Sequence, residues 1–174
     1  MMTRKWLGRI AGLTVALAAA PVHADQLEGW EVGPESGNTG CIAGRELPGG
    51  VLVSIRRATT GTEYYMVFSS ANWDSLRPRA GQRIPIELLF ATRDGDRRIR
   101  DEDAFIVATE RGEEAVIGVW SGEEGASFRR IVNRARNVTL IGQGTEIGTY
   151  PLPRGPAVLA ELDRCVGRLA PRPG

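Results

Sequence analysis

The chain has 174 residues, with 22 Lys and Arg against 21 Asp and Glu, a single His and two Cys. This length suits one domain with a real hydrophobic core. The near-balanced charge gives no support for general nucleic-acid or membrane-surface binding.

Residues 1–24 have the layout of a secretory signal peptide. Arg4, Lys5 and Arg9 form a positive start, and Ile10 to Ala20 is an apolar core. That core falls short of the roughly 20 apolar residues a membrane span needs. Pro21 breaks the run, and Val22-His23-Ala24 presents small residues where a signal peptidase reads, so cleavage is expected between Ala24 and Asp25. No Cys lies near this point, so no lipid anchor is expected. The leader carries the only Lys and the only His of the chain, Lys5 and His23. Removing Arg4, Lys5 and Arg9 from the 22 basic residues leaves 19 arginines against 21 carboxylates, a formal charge of −2. Residues 25–174 then form a single β-rich domain, exported to the periplasm or beyond, with no membrane span of its own.

Trp30 stands in a short extended segment, GWEV, and Glu35–Gly40 is a turn cluster. Cys41–Glu46 reads as a strand ended by Pro48-Gly49-Gly50. Val51, Val53 and Ile55 alternate with Leu52, Ser54 and Arg56, and Tyr64, Met66 and Phe68 share one face of Glu63–Ser69. These two runs form a hairpin. Ser70–Arg79 is a loop or helical turn around Trp73 and Leu76. Ile84, Ile86, Leu88 and Phe90 keep strict period two, the mark of a half-buried strand. Pro85 inside it argues for an edge position or a bulge. Asp94-Gly95 signals a turn, and a charged stretch, Arg93 to Asp103, precedes a strand from Ala104 to Thr109. Arg111-Gly112 marks another turn before a strand, Ala115–Trp120.

Glu123–Arg136 is expected to be helical, with an apolar stripe of Phe128, Ile131, Val132 and Ala135. Its acids come first and its arginines last, matching the helix dipole. Val138–Ile141 and Ile147–Leu152 are further strands around a Gly-rich turn. The tail, Arg154–Val166, is a second amphipathic helix: Val158, Leu159, Leu162, Cys165 and Val166 recur at helical spacing, and Pro156 suits its first turn. Cys165 therefore faces the body of the protein. A reduced core thiol is one outcome for it, but the export signal favours a disulfide with Cys41. The sum is a mainly β, α+β chain, read as an antiparallel β-sandwich or partly open barrel with two helices, one of them C-terminal.

Absences bound the chemistry. Without His or Lys in residues 25–174 there is no Ser-His-Asp triad, imidazole zinc site, Schiff base or Ser-Lys dyad. No nucleophile elbow, P-loop or dinucleotide fingerprint appears, and no cofactor is indicated. Carboxylates, hydroxyls and arginines remain. Asp94, Asp96, Asp101 and Asp103 hint at a Ca²⁺ loop, yet an EF-hand register from Asp94 puts Ile99 where Gly is needed and Phe105 where Glu belongs. Arg93, Arg97, Arg98 and Arg100 would also repel a cation, so a solvated hairpin of mixed charge is the plainer reading. Arg129, Arg130, Arg134 and Arg136 on the expected helix could grip phosphate or carboxylate, with dipole compensation as the alternative. Tyr64, Tyr65, Trp73 and Trp120 could line a groove, though large aromatics mostly serve cores.

Several features together resemble a family: Trp30 soon after the leader, Cys41, the Gly-rich entry to Val51–Ile55, the spacing of Trp73, Leu76 and Gly81, and the tail of Leu152, Gly155, Ala157, Leu162 and Cys165. The chain resembles small secreted alphaproteobacterial proteins of the invasion-associated locus B type. That resemblance implies an exported, β-rich protein with an envelope or host-interaction role and no defined catalytic site. The expectation is a non-enzymatic periplasmic or secreted protein that binds an envelope or host protein or a polyanionic surface polymer. A carboxylate-dependent hydrolase of wall or surface polysaccharide, and an inhibitor of a hydrolase, are the alternatives.

Overall fold

The computed structural model describes residues 27–60, 63–73, 76, 79–108 and 114–169, with backbone alone at 114–117 and 119. The expected leader, its cleavage point and the Arg111-Gly112 turn lie outside the described residues. The strands are β1 (Glu31–Pro34), β2 (Gly40–Leu47), β3 (Val51–Ala58), β4 (Tyr64–Ser70), β5 (Arg83–Thr92), β6 (Gly95–Ala108) and β7 (Glu114–Trp120). Helix α1 (Gly122–Val132) follows, then β8 (Ala135–Gly142), β9 (Thr145–Pro151) and helix α2 (Gly155–Leu169).

All the strand pairs are antiparallel, in the order β1-β2-β3-β4-β7-β6-β5-β8-β9. The ladder folds over so that its two halves face each other as a sandwich. Phe68 of β4 meets Tyr150 of β9 across the core, ring centroids 5.4 Å apart. Strand β6 serves both halves: Gly95–Asp101 pairs with β5, and Phe105–Ala108 pairs with β7. The corner falls where the register jumps from Ile84↔Ala104 to Ile86↔Asp101. Pro85 sits at that jump, where a missing N–H removes no ladder bond, so the expected bulge is present. The edge position is not, because β5 lies between β6 and β8. The two ends of the ladder, β1 and β9, do not pair, so the barrel is not closed.

The alternating residues fill the space between the halves. Val53, Ile55, Met66, Phe68, Ile86, Leu88, Phe90, Val138 and Leu140 are all essentially buried. Phe128 of α1 closes one end of this core. It stacks on Trp120 at 4.5 Å and touches Tyr64 and Phe90 at 5.7 and 6.2 Å. Tyr64, Trp73 and Trp120 are therefore core residues; only Tyr65 is half-exposed.

Two expected boundaries shift. The charged stretch is not a loop before a strand: β6 already begins at Gly95, directly after the turn. Its charges are tolerated because nearly all of its first half is exposed. Helix α1 ends at Val132 and does not reach Arg136. Asn133 and Arg134 close its last turn with N–H bonds to the Arg129 and Ile131 carbonyls. Ala135 then enters β8 opposite Thr92. Ala135 is out of phase with Val138 and Leu140, and a register shift between Ala91 and Thr92 brings it to the buried face of the strand.

Helix α2 packs its predicted face of Val158, Leu159, Leu162, Cys165 and Val166 inward, all buried. Cys165 is bonded to Cys41 of β2, with Cα atoms 6.1 Å apart and a sequence separation of 124. Trp30 is buried beside the start of this helix and donates its indole N–H to the Pro153 carbonyl at 3.1 Å.

Candidate functional site: two arginine gatherings at one end of the sandwich

The four arginines expected to act together are divided by the end of α1. Arg129 lies on the helix and turns toward α2, where it forms a two-pronged pair with Asp163: Nη1 to Oδ1 at 2.9 Å and Nη2 to Oδ2 at 2.5 Å. Its Nη1 also donates to the Tyr64 hydroxyl at 2.9 Å. Arg57, at the end of β3, binds the same Asp163 carboxylate. The hydrogen bond to Asp163 raises the Arg129 guanidinium still further above its ordinary value, against the opposing effect of burial. This clasp joins β3, β4, α1 and α2. Its forks are already filled, so its character is structural. Arg130 is exposed on α1 and enters neither gathering.

Arg134 and Arg136 lie past the helix, on the turn and on β8. Together with Arg93 and Arg154 they line a groove of about 550 Å³. Three connections build it: the β5–β6 turn supplies Arg93, the α1–β8 turn supplies Asn133 and Arg134, and the β9–α2 link supplies Pro151 to Arg154. Loops held by a rigid sandwich are where binding groups are commonly presented. Arg154 takes up a left-handed backbone conformation, φ 59°, and its Nε donates to Glu28 at 2.8 Å. Arg134 pairs with Asp94 at 3.0 Å. Arg93 and Arg136 pair with no carboxylate among the described residues. Four guanidiniums against those two carboxylates leave a local excess of +2.

Gly155 opens α2 at the groove floor. A Cβ there would lie 2.5 Å from the Val132 carbonyl, so only glycine lets the end of α1 and the start of α2 approach this closely. The first turn of α2 contains no acidic residue. Arg93 and Arg154 were not among the expected anion ligands. They are 61 positions apart in the chain, and no local pattern links them.

The aspartates do not gather. Asp94 is held by Arg134, and Asp101 accepts the Asp103 N–H at 2.9 Å. From Asp96 to Asp101 the extended strand runs about 16 Å, too far for one cation. Among the described residues no group of three His, Cys, Asp or Glu could hold a metal ion.

A second groove of about 430 Å³ crosses the outer face of β5 and β8 and includes Glu87, Arg100 and Glu102. Glu87 is clamped by Arg98 at 3.1 Å and Arg100 at 3.3 Å, one to each oxygen. Arg100 also lies 3.9 Å from Glu102.

These features define a disulfide-tied antiparallel β-sandwich carrying a basic groove at one end. No family model, no curated protein and no solved structure matches the chain.

Proposed function

We propose that the protein is an exported, non-enzymatic binding protein of the cell envelope, and that the groove of Arg93, Arg134, Arg136 and Arg154 holds its partner. The observation that carries this reading is the convergence of four arginines, three from separate connections and Arg136 from β8, onto one concave, net-positive surface. The disulfide supports export, since such bonds persist in oxidising compartments. The leader-like residues 1–24 and the resemblance to invasion-associated locus B-type proteins point the same way. A partner of opposite charge, either an acidic envelope or host protein or a polyanionic surface polymer, fits the groove.

The polysaccharide-hydrolase alternative has one observation in its favour, the two carboxylates Glu87 and Glu102 in the outer groove. Against it, both Glu87 oxygens are occupied by guanidiniums, so neither is free to protonate a leaving group.

The test is affinity capture from envelope extract on the oxidised protein, wild type against Arg93→Gln/Arg136→Gln. Partners retained by the wild type and lost from the variant support the reading. Cleavage of a wall-glycan panel that disappears in Glu87→Gln, with no partner captured, would replace it with the hydrolase.

A further inference from the structure

We infer that the groove recognises a phosphate monoester, an inference that deepens the binding role proposed above and rests on the same four arginines. The walls show why. Pro151, Pro153 and Pro156 line it and offer no N–H, and the Leu152 N–H is spent on the Arg136 carbonyl at 2.7 Å, so the side-chain donors facing a ligand are the guanidiniums and the Asn133 amide. Guanidinium donors are planar forks matched to the oxygens of phosphate or carboxylate. The local charge then chooses between these. A carboxylate brings one charge and two oxygens, which a single fork fills. A phosphate monoester brings roughly −1.5 to −2 and three terminal oxygens. The groove's excess of +2 and its two unengaged arginines, Arg93 and Arg136, match the second and overfill the first. The start of α2 adds no acid to oppose an anion. The Val132 carbonyl lies against Gly155, however, so the guanidiniums and not the helix end carry the recognition.

The phosphate could be borne by a soluble ester or by a lipid headgroup; the chemistry at the groove is shared. Two probes separate the sources. Glycerol 1-phosphate is titrated calorimetrically into the oxidised protein, with acetate as the carboxylate control. In parallel the protein is sedimented with phosphatidylcholine vesicles, with or without about one-fifth phosphatidic acid. Binding in the first arm alone identifies a soluble ester; binding to the phosphatidic acid vesicles alone identifies a headgroup. In either case Arg93→Gln/Arg136→Gln should weaken binding about tenfold or more, the loss expected for charge-assisted bonds. Arg98→Gln/Arg100→Gln, an equal loss of charge on the exposed outer face of β6, should change it less than about twofold if contact and not net charge decides. Failure of both probes, acetate binding as tightly as the ester, or equal loss in the two double variants overturns the inference. If the phosphate probes fail while envelope capture still depends on Arg93 and Arg136, the binding role stands and only the ligand class falls.

Discussion

Replacing Asp163 is the sharpest test of how α2 is held. Its carboxylate is the common acceptor of Arg57 and both forks of Arg129, and side-chain exposures of 30%, 23% and 37% place the group between surface and core. Exposed ion pairs contribute about 0–1 kcal/mol. Removing one partner of a fully buried pair costs about 3–5 kcal/mol, because the other charge is left stranded. Here Asp163→Ala strands two like charges at intermediate depth, so a loss of about 2–3 kcal/mol is expected. For a domain of this size each kcal/mol lowers Tm by about 2–4 °C, which gives a drop of about 4–12 °C. Asp163→Asn keeps one acceptor oxygen but turns an NH2 donor toward a guanidinium and removes the charge, so it should lose nearly as much. Thermal unfolding followed by circular dichroism, with the disulfide confirmed intact in each variant, measures the difference. A double-mutant cycle with Arg129→Met separates the pair from the packing of its arms. A change in Asp163→Ala below about 0.5 kcal/mol would mean that the clasp is a surface pair and that the disulfide and the buried apolar face hold the helix without it.

Three other outcomes follow from the same structure. Cys41→Ala/Cys165→Ala opens a loop spanning 124 residues, for which chain entropy gives a loss of up to about 5 kcal/mol; denaturant unfolding that shows less than about 1 kcal/mol would contradict a covalent tie. Gly155→Ala forces a Cβ to within 2.5 Å of the Val132 carbonyl and should cost about 1–3 kcal/mol by thermal melt, with the groove arginines displaced as α2 shifts. Tyr65 and Tyr150 are both raised, by burial first; Glu63 adds to the shift at Tyr65, while a Trp73 hydrogen bond opposes it at Tyr150. Because the folded state holds these protons more tightly than the unfolded one, their stabilisation is fully present below the ordinary tyrosine value of about 10 and is lost as pH rises through their folded values. Phenolate absorbance should therefore show late steps in the native protein that Tyr65→Phe and Tyr150→Phe each reduce; coincident native and unfolded titration curves would refute the burial.

The parts of the fold that were legible in the sequence are those where one periodicity dominates. Ile84 to Phe90 alternates strictly and is a central strand, and the face of α2 from Val158 to Val166 is buried as its spacing requires. The pairing of Cys41 with Cys165 followed from the inward face of Cys165 and from an expected compartment, although nothing local joins residues so far apart. Misreadings fall where two signals overlap. At Phe128 to Ala135 the helical stripe runs up to the strand, and Ala135 fits the stripe but is out of phase with Val138 and Leu140; only pairing with Thr92 across a register shift puts it in β8. From Gly95 to Asp103 the charges suggested solvent, correctly, but exposure does not distinguish a loop from the exposed half of a long paired strand.

That same ambiguity at the end of α1 concealed the groove. Read as one helix, Arg129 to Arg136 place four cations on a solvated surface, where dipole compensation accounts for them. Ending the helix at Val132 changes the chemistry of each arginine. Arg129 stays with the helix and spends its donors on Asp163 and Tyr64. Arg134 and Arg136 pass to the other side of the turn, where the β5–β6 turn brings Arg93 and the link into α2 brings Arg154. Dipole compensation then explains Arg129 and Arg130 only. The remaining excess of positive charge, on Arg93 and Arg136, has no carboxylate partner among the described residues, and this is the observation on which the proposed anion site rests.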